Sequence, residues 1–184
     1  MTRLDFFTFA ERAAKGGAIE IRPDWKVLRS YDLMVRGRDF YAVWDEERGL
    51  WSTDEYDVQR LVDKALDEYR QDRGDGDFRV KYLRDFSSGM WSMCQTYIRS
   101  LSDNSHDLDT QLTFANTPVR KEQYASRRLP YALEKGDISS YEELISTLYD
   151  PGEREKIEWA IGSIVAGDSR YIQKFVVLYG EAGS

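Results

Sequence analysis

Apolar residues recur at helical intervals in two long parts of the chain. The clearest series predicts an amphipathic helix over residues 53–72, which ends at the glycine-containing segment RGDGD. Ser52 and Glu55 have the spacing of a capping box, a motif that begins many helices. A second series predicts a helix over about 78–101, with a bend at Ser87-Ser88-Gly89 where small residues interrupt the pattern.

Two further helices are predicted near the C-terminal end. The first begins near residue 139, where a serine is twice followed by a glutamate three residues later. The alternative capping boxes are Ser139 with Glu142 and Ser140 with Glu143. The second helix has Asp150 as its cap and Pro151 in its first turn, and Gly167 ends it.

Shorter aromatic and β-branched stretches predict β-structure. Arg38–Trp44, the polar DEERG and the return through Leu50-Trp51 predict a hairpin. The segments QLTFANTPV and SRRLPYAL each contain one proline, and they predict two short strands on either side of a basic turn. Residues 4–15 are predicted to form a short helix that Gly16-Gly17 terminates.

The order of these elements predicts an α+β fold that is mostly helical with small antiparallel hairpins. Its last element is Phe175–Tyr179, five consecutive apolar residues of the kind found in a parallel strand buried on both faces. We expect three segments. They are a small α/β N-terminal lobe at 1–50, long helices plus a β-hairpin at 51–138, and at 139–184 a helical segment that leads into the last strand.

Composition narrows the classes of protein. The 184 residues suffice for one domain with a core or for two small lobes that share one. The net charge of -7 argues against non-specific nucleic-acid binding by the whole surface, because such binding needs many Lys and Arg. The one cysteine, Cys94, cannot form an intramolecular disulfide, and no apolar stretch reaches the ~20 residues that span a bilayer. We expect a cytoplasmic protein with no membrane partner.

One basic segment stands out in this acidic chain. Its candidate DNA contacts are Arg120, Lys121, Tyr124, Arg127 and Arg128, with Tyr131 close by. Cations next to aromatic rings suit single-stranded DNA, because phosphates pair with the cations while bases stack on the rings. The simpler alternative is the solvated end of a hairpin.

Other polar groups predict no catalytic site and no metal site. The loop DNSHDLD groups Asp103, His106, Asp107 and Asp109, but it lacks the glycine and the distant glutamate of a calcium loop. We therefore interpret it as a solvated loop after a helix. Cys94 lies among apolar residues with no base beside it, which favours a buried structural thiol.

The last five residues match half of a nucleotide-binding motif. A phosphate-binding loop has the pattern G-x-x-x-x-G-K-[ST] between a strand and a helix, because its backbone N–H groups surround the phosphates. Its first five positions are matched by Gly180, Glu181, Ala182, Gly183 and Ser184. The alternative is a terminal strand followed by a glycine-rich tail.

The segment before this partial motif resembles a known family. The sequence SYEELISTLYDPGEREKIEWAIGSIVAGDSRYIQKFVVLYGEAGS resembles the approach to the phosphate-binding loop in primase-helicases of phages and poxviruses, the AAA+ helicases of superfamily 3. Within it, AIGSIVAGD and IQKFVVLYGEAGS are similar to two successive family motifs. Upstream, Leu112–Val119 resembles a family strand, and Arg38–Tyr69 resembles the family's aromatic hairpin and following helix.

This resemblance implies a non-catalytic region of a DNA replication helicase. The loop lysine and the residues that bind magnesium would follow Ser184, so the chain is expected to be no enzyme, while the complete protein would use ATP and Mg. Met1 comes only some 40 residues before the matching part, so no primase domain is expected in this chain.

The implied partners are other copies of the chain in a ring, single-stranded or forked DNA, and replication proteins in the cytoplasm of a bacterial host. The alternative is a naturally short protein-binding module that regulates a replication protein.

Overall fold

The computed structural model describes residues 4–27, 29–167, 172–177 and 179–180. It divides the chain into two compact units, Met1–Ala132 and Leu133–Ser184. The described part contains six strands and four α-helices, which gives an α+β chain. Residues of the predicted segments 1–50 and 51–138 share one core in the first unit.

The first unit opens with a sheet in place of the predicted helix at 4–15. Strand β1 (Thr8–Ala13) pairs antiparallel with β2 (Ile19–Asp24), and β2 pairs parallel with the short strand β6 (Phe78–Val80). The helix prediction is wrong because the two glycines form the turn between β1 and β2 and do not end a helix. Gly16 and Gly17 have φ values of 84° and 83°, and these left-handed conformations return the chain directly into β2.

The second sheet confirms the predicted hairpin. Strand β3 (Leu33–Arg36) pairs with β4 (Phe40–Asp45), and β4 pairs with β5 (Leu50–Ser52), all antiparallel. Trp44 and Trp51 lie opposite each other in the register, with ring centroids 6.0 Å apart. Cross-strand aromatic pairs of this kind stabilise a hairpin.

Helix α1 (Glu55–Asp72) confirms the predicted helix but begins differently. The cap is Asp54, whose carboxylate accepts a hydrogen bond from the backbone N–H of Tyr56 at 2.9 Å. Ser52 cannot be the cap because it lies in β5, where its hydroxyl donates to Asp57 at 2.6 Å. The capping box predicted from Ser52 and Glu55 is therefore wrong.

Helix α2 (Met90–Ser100) is shorter than the helix predicted over 78–101. Residues 78–80 form β6, and a 3-10 turn, Phe86–Ser88, precedes the helix. Gly89, with a φ of 71°, adopts the left-handed conformation that lets α2 begin at Met90. Gly89 therefore separates the 3-10 turn from α2, whereas the sequence predicted a bend within one continuous helix.

The core of the first unit contains residues of these two helices and of both sheets. Its largest contributors come from β2, β3, α1 and α2, together with the segment before β1; they include Phe6, Ile21, Leu33, Leu61, Leu66, Trp91 and Ile98. Cys94 is buried among them, and burial raises its pKa to about 12. This confirms the interpretation of Cys94 as an inert structural thiol.

Residues 101–132 contain no strand, so the two strands predicted in the basic region are wrong. Two hydrogen bonds join the segments nevertheless. The N–H of Leu129 donates to the carbonyl of Thr113 at 2.8 Å, and that of Ala115 donates to the carbonyl of Tyr131 at 3.0 Å. Pro118 and Pro130 have no N–H to extend this pairing into a ladder.

The second unit contains α3 (Ser139–Leu148) and α4 (Pro151–Ala166), as predicted. Neither serine capping box forms at α3, where Asp137 instead accepts from the N–H of Ser139 at 2.9 Å. The start of α4 is as predicted: Asp150 accepts from the N–H groups of Gly152 and Glu153 at 2.8 and 2.9 Å. Gly167, with a φ of 75°, ends α4.

The prediction of a mostly helical chain is wrong. The four α-helices have 18, 11, 10 and 16 residues of the 184. Residues 8–13 and 78–80 were predicted as helix but form β1 and β6. They pair with β2 and complete a sheet against which α1 packs. No described helix is long and apolar enough to cross a membrane.

Candidate functional site

The predicted nucleotide-binding residues lie mostly outside the described part of the chain. Gly180 is described and exposed, whereas Glu181, Ala182, Gly183 and Ser184 are outside it. Residues 173–177, 179 and 180 form no strand, so the predicted terminal strand is not found there. A strand needs a neighbouring strand to pair with its backbone N–H and C=O groups. Among the described residues, no strand pairs with this segment.

The apolar run before Gly180 is exposed. Phe175, Val176, Val177 and Tyr179 have between 57% and 99% of their surface accessible. Four large apolar side chains so close together in sequence are rarely left in water, because burial of apolar side chains is the main driving force of folding. In the described part of the chain, each of them keeps more than half of its surface exposed.

Two cations of the predicted DNA-binding segment pair with carboxylates of the first unit. Lys121 forms an ion pair with the buried Asp32. The Nε atom of Arg127 lies 3.8 Å from the Oδ2 atom of Asp109. Arg120, Arg127 and Arg128 are all exposed, whereas Lys121 is half-buried. Three of the four cations in the candidate DNA contacts therefore present their charge to solvent, and Lys121 is used in an ion pair of the first unit.

Tyr124 has a structural place in the same segment. Its backbone is left-handed, with a φ of 49°, and its ring stacks on His106 with centroids 4.1 Å apart and planes at 13°. Trp51 lies 5.7 Å away, and its Nε1 donates to the carbonyl of Lys121 at 2.8 Å. These contacts fix the basic segment against β5.

The stack borders an open cleft of about 480 Å³, here named the aromatic cleft. Its floor consists of Leu33, Met34 and Trp51, each at most 2% exposed. The rim includes Arg29, Tyr31, Ser102, Asp103, His106 and Tyr124. A concave site with an apolar floor and a few polar groups at its edge is the usual form of a small-molecule site.

One wall of the aromatic cleft is held by Asn104. Its Oδ1 accepts from the N–H of Val35 at 2.6 Å, and its Nδ2 donates to the carbonyls of Ser30 and Leu33 at 3.2 and 2.9 Å. Asp103 accepts from the N–H of Gly37 at 2.9 Å. These hydrogen bonds hold the loop after α2 against β3.

A network of carboxylates lies next to the cleft. Ser30 donates to Asp5 at 2.5 Å, and Asp5 also accepts from the N–H groups of Tyr31 and Asp32 at 2.7 and 3.1 Å. Burial disfavours the charged form of Asp5, but these hydrogen bonds outweigh it and lower its pKa. For Asp32, burial and the nearby charge of Asp5 outweigh the contact with Lys121, so its pKa is raised.

The aromatic cleft could not be found from the sequence. His106 and Asp103 were expected in a solvated loop, but both have partners within the first unit. Trp51 was expected only as part of a hairpin, and its role as a cleft floor depends on contacts with residues about 70 positions away. Among the described residues, no group of His, Cys, Asp and Glu is arranged to hold a metal ion.

A second cleft, of about 540 Å³, is rich in carboxylates, and three of them, Asp32, Asp45 and Glu47, form ion pairs. The buried Asp45 pairs with Arg60 at 2.5 Å, and Glu47 pairs with Lys64. Asp45 also accepts from backbone N–H groups of the turn at 47–48. These groups hold the β4–β5 hairpin to α1.

Searches against protein-family models, curated proteins and solved structures find no match to this chain. The resemblance to superfamily 3 primase-helicases therefore stays a prediction of the sequence.

Proposed function

We propose that this chain is a non-catalytic region that precedes the ATPase motor of a phage-type replication helicase of superfamily 3. The proposal rests on the order of elements before Gly180: a capped helix that ends at Gly167, a short connection, an apolar run and then the first glycine of a phosphate-binding loop. The position of α4, with Asp150 as cap and Gly167 at its end, supports this order.

The observation that carries the proposal is the exposure of the apolar run. Phe175, Val176 and Val177 are more than half exposed, and Tyr179 is almost fully exposed. Such a run suits the first strand of a parallel sheet, where neighbouring strands and covering helices would bury both faces. In the proposed protein, residues after Ser184 supply those neighbours.

The proposed role of the chain is support of the motor. ATP hydrolysis needs a loop lysine and acidic magnesium ligands, and the residues after Gly180 in this sequence end before any such lysine. We assign to the chain contacts between copies of the helicase, engagement of single-stranded or forked DNA, or contacts with replication proteins. The exposed Arg120, Arg127 and Arg128 are its main candidate DNA contacts, with Lys121 and Tyr124 in the same segment. The protein would act in the cytoplasm of the bacterial host.

The reading frame after codon 184 tests this proposal directly. We expect Gly-Lys followed by Ser or Thr, then a helix, because these complete the phosphate-binding loop. A frame that continues without this sequence would contradict the proposal. A stop codon at this point would favour the alternative of a short regulatory module.

One observation favours that second candidate. In the second unit, α3 and α4 expose several large apolar side chains: Leu144, Leu148, Trp159, Ile161 and Ile164. Exposed apolar groups of this size are common in protein-binding surfaces. For a short module, the expected partner is a replication protein, and co-purification of such a protein with the 184-residue chain from its host is the corresponding test.

A further inference from the structure

We propose that the aromatic cleft of the first unit binds a nucleotide unit, with a flat base stacked at its rim and a phosphate paired with Arg29. The inference uses only residues of that cleft and does not rest on the proposed helicase function. It shares only Tyr124 with the predicted DNA contacts, because Arg120, Lys121, Arg127 and Arg128 do not line the aromatic cleft.

The size and floor of the cleft suit a small planar ligand. Its volume of about 480 Å³ lies within the range of known ligand sites. Leu33, Met34 and Trp51 give it a dry, closely packed floor. An apolar floor favours a ligand with a flat hydrophobic surface, such as a nucleobase.

Aromatic rings stand at the rim above this floor. The Tyr31 side chain is 71% exposed, although its backbone N–H donates a hydrogen bond to the Asp5 carboxylate at 2.7 Å. His106 is exposed, and Tyr124 covers only one face of its ring. A base can stack on such rings whatever its identity, because every base has a π-face.

Unused polar groups complete the rim. Within the described residues, the Arg29 guanidinium and the Ser102 and Tyr31 hydroxyls form no hydrogen bond or ion pair. Arginine forms charge-assisted, bidentate bonds with phosphate oxygens. The neighbouring Asp103 carboxylate limits the positive charge of the rim, so we expect pairing with a single phosphate.

The cleft is formed before a ligand arrives. Asn104 makes three hydrogen bonds that fix the loop carrying Ser102, Asp103 and His106 against β3. Stacking of His106 on Tyr124 joins this loop to the basic segment at the rim. A preformed site loses little conformational entropy on binding, which favours affinity.

NMR spectroscopy of the 184-residue chain tests the proposal, because His106 is its only histidine. The chemical shifts of the His106 ring are measured while a twelve-nucleotide oligothymidylate or thymidine monophosphate is added. We expect both probes to shift these signals when a nucleotide unit is recognised by itself. A shift with the oligonucleotide alone supports the same site and identifies a strand as the source of the base.

Four variants with exposed substitutions separate this cleft from other surfaces. Tyr31→Ala removes one stacking ring and should weaken binding about fivefold or more. Arg29→Ala should weaken binding and reduce the magnitude of the salt slope by about 0.7, the value for one phosphate on a single strand. Tyr56→Ala and Arg12→Ala change another exposed tyrosine and another exposed arginine, both outside the cleft, so they should leave binding unchanged.

Two results would overturn the proposal. One is an absence of any His106 shift at probe concentrations of about 1 mM, because a preformed site of this kind should be partly occupied at that concentration. The other is binding that Tyr31→Ala and Arg29→Ala leave unchanged. Circular dichroism spectra identical to the unmodified chain would show that the variants are folded in each comparison.

Discussion

The ring of His106 lies nearly parallel to the ring of Tyr124, with centroids 4.1 Å apart. Tyr124 is also 5.7 Å from Trp51, so three separate segments meet in one aromatic group. The segments are the loop after α2, the basic segment and β5. Residues 101–132 contain no regular strand, and this stack is one of the contacts that attach them to the second sheet, together with the hydrogen bonds of Asn104 and Trp51.

A double-mutant cycle measures the contribution of this stack. His106→Ala, Tyr124→Ala and the double variant should show a coupling free energy of about 0.5–1.5 kcal/mol, as aromatic pairs do. Urea unfolding gives the four stabilities. Tyr131→Ala serves as the control, because its ring lies against Phe114 and should show no coupling with His106. Zero coupling between His106 and Tyr124 would contradict the stacked arrangement.

Asn104→Ala should destabilise the first unit by about 1–3 kcal/mol, because it leaves one backbone N–H and two carbonyls without their partner. Asn104→Asp keeps the acceptor for Val35 and loses both donated bonds, and we expect it to be destabilised as well. The measurement is the free energy of unfolding in urea. An unchanged stability of Asn104→Ala would show that Asn104 does not fasten the loop to β3.

The Asp5–Ser30 hydrogen bond predicts a pH-dependent contribution to stability. The pKa of Asp5 is lowered in the folded chain, so the stabilisation is present above its ordinary value near 3.8 and is lost as the pH falls through the folded value. Ser30→Ala should cost about 1–2 kcal/mol at pH 7, since the bond is to a charged group.

This cost should shrink on acidification below about pH 4, as Asp5 becomes protonated. It should not vanish, because Ser30 also accepts from the N–H groups of Asp32 and Leu33 at 3.0 and 2.8 Å. The raised pKa of Asp32 acts in the opposite direction, and its effect is present in both proteins being compared. A difference in unfolding free energy that is constant from pH 7 to 3 would contradict the proposed role of Asp5.

Asp150→Ala should destabilise the start of α4, because two backbone N–H groups lose their acceptor. The expected cost is about 0.5–2 kcal/mol, the usual effect of removing such a cap. Amide hydrogen exchange in the first turn of α4 is the direct measurement, and it should accelerate. Asp150→Asn retains an acceptor and provides the matched control. Equal exchange in Asp150→Ala and the unmodified chain would contradict the capping role.

Local sequence patterns predicted those elements whose determinants are local. The helix α4 was predicted with its cap, its first-turn proline and its terminal glycine, because each of these residues acts only on the helical turn next to it. The β4–β5 hairpin and the helix α1 were predicted for the same reason.

Other elements depend on distant partners and were predicted incorrectly. Residues 8–13 form a strand because β2 lies beside them, although their composition also suits a helix. Residues 78–80 form β6 because β2 offers its second edge. The aromatic cleft has the same origin, since Trp51 and Tyr124 meet only in the folded chain.

ATP hydrolysis by the product of the complete reading frame tests the central claim most directly. We predict that this product hydrolyses ATP in the presence of single-stranded DNA, and that replacement of its phosphate-loop lysine by alanine removes the activity. The 184-residue chain should be inactive under the same conditions, because it has no such lysine after Gly180. Hydrolysis by the 184-residue chain itself, or none by a product that contains the completed loop, would contradict the account.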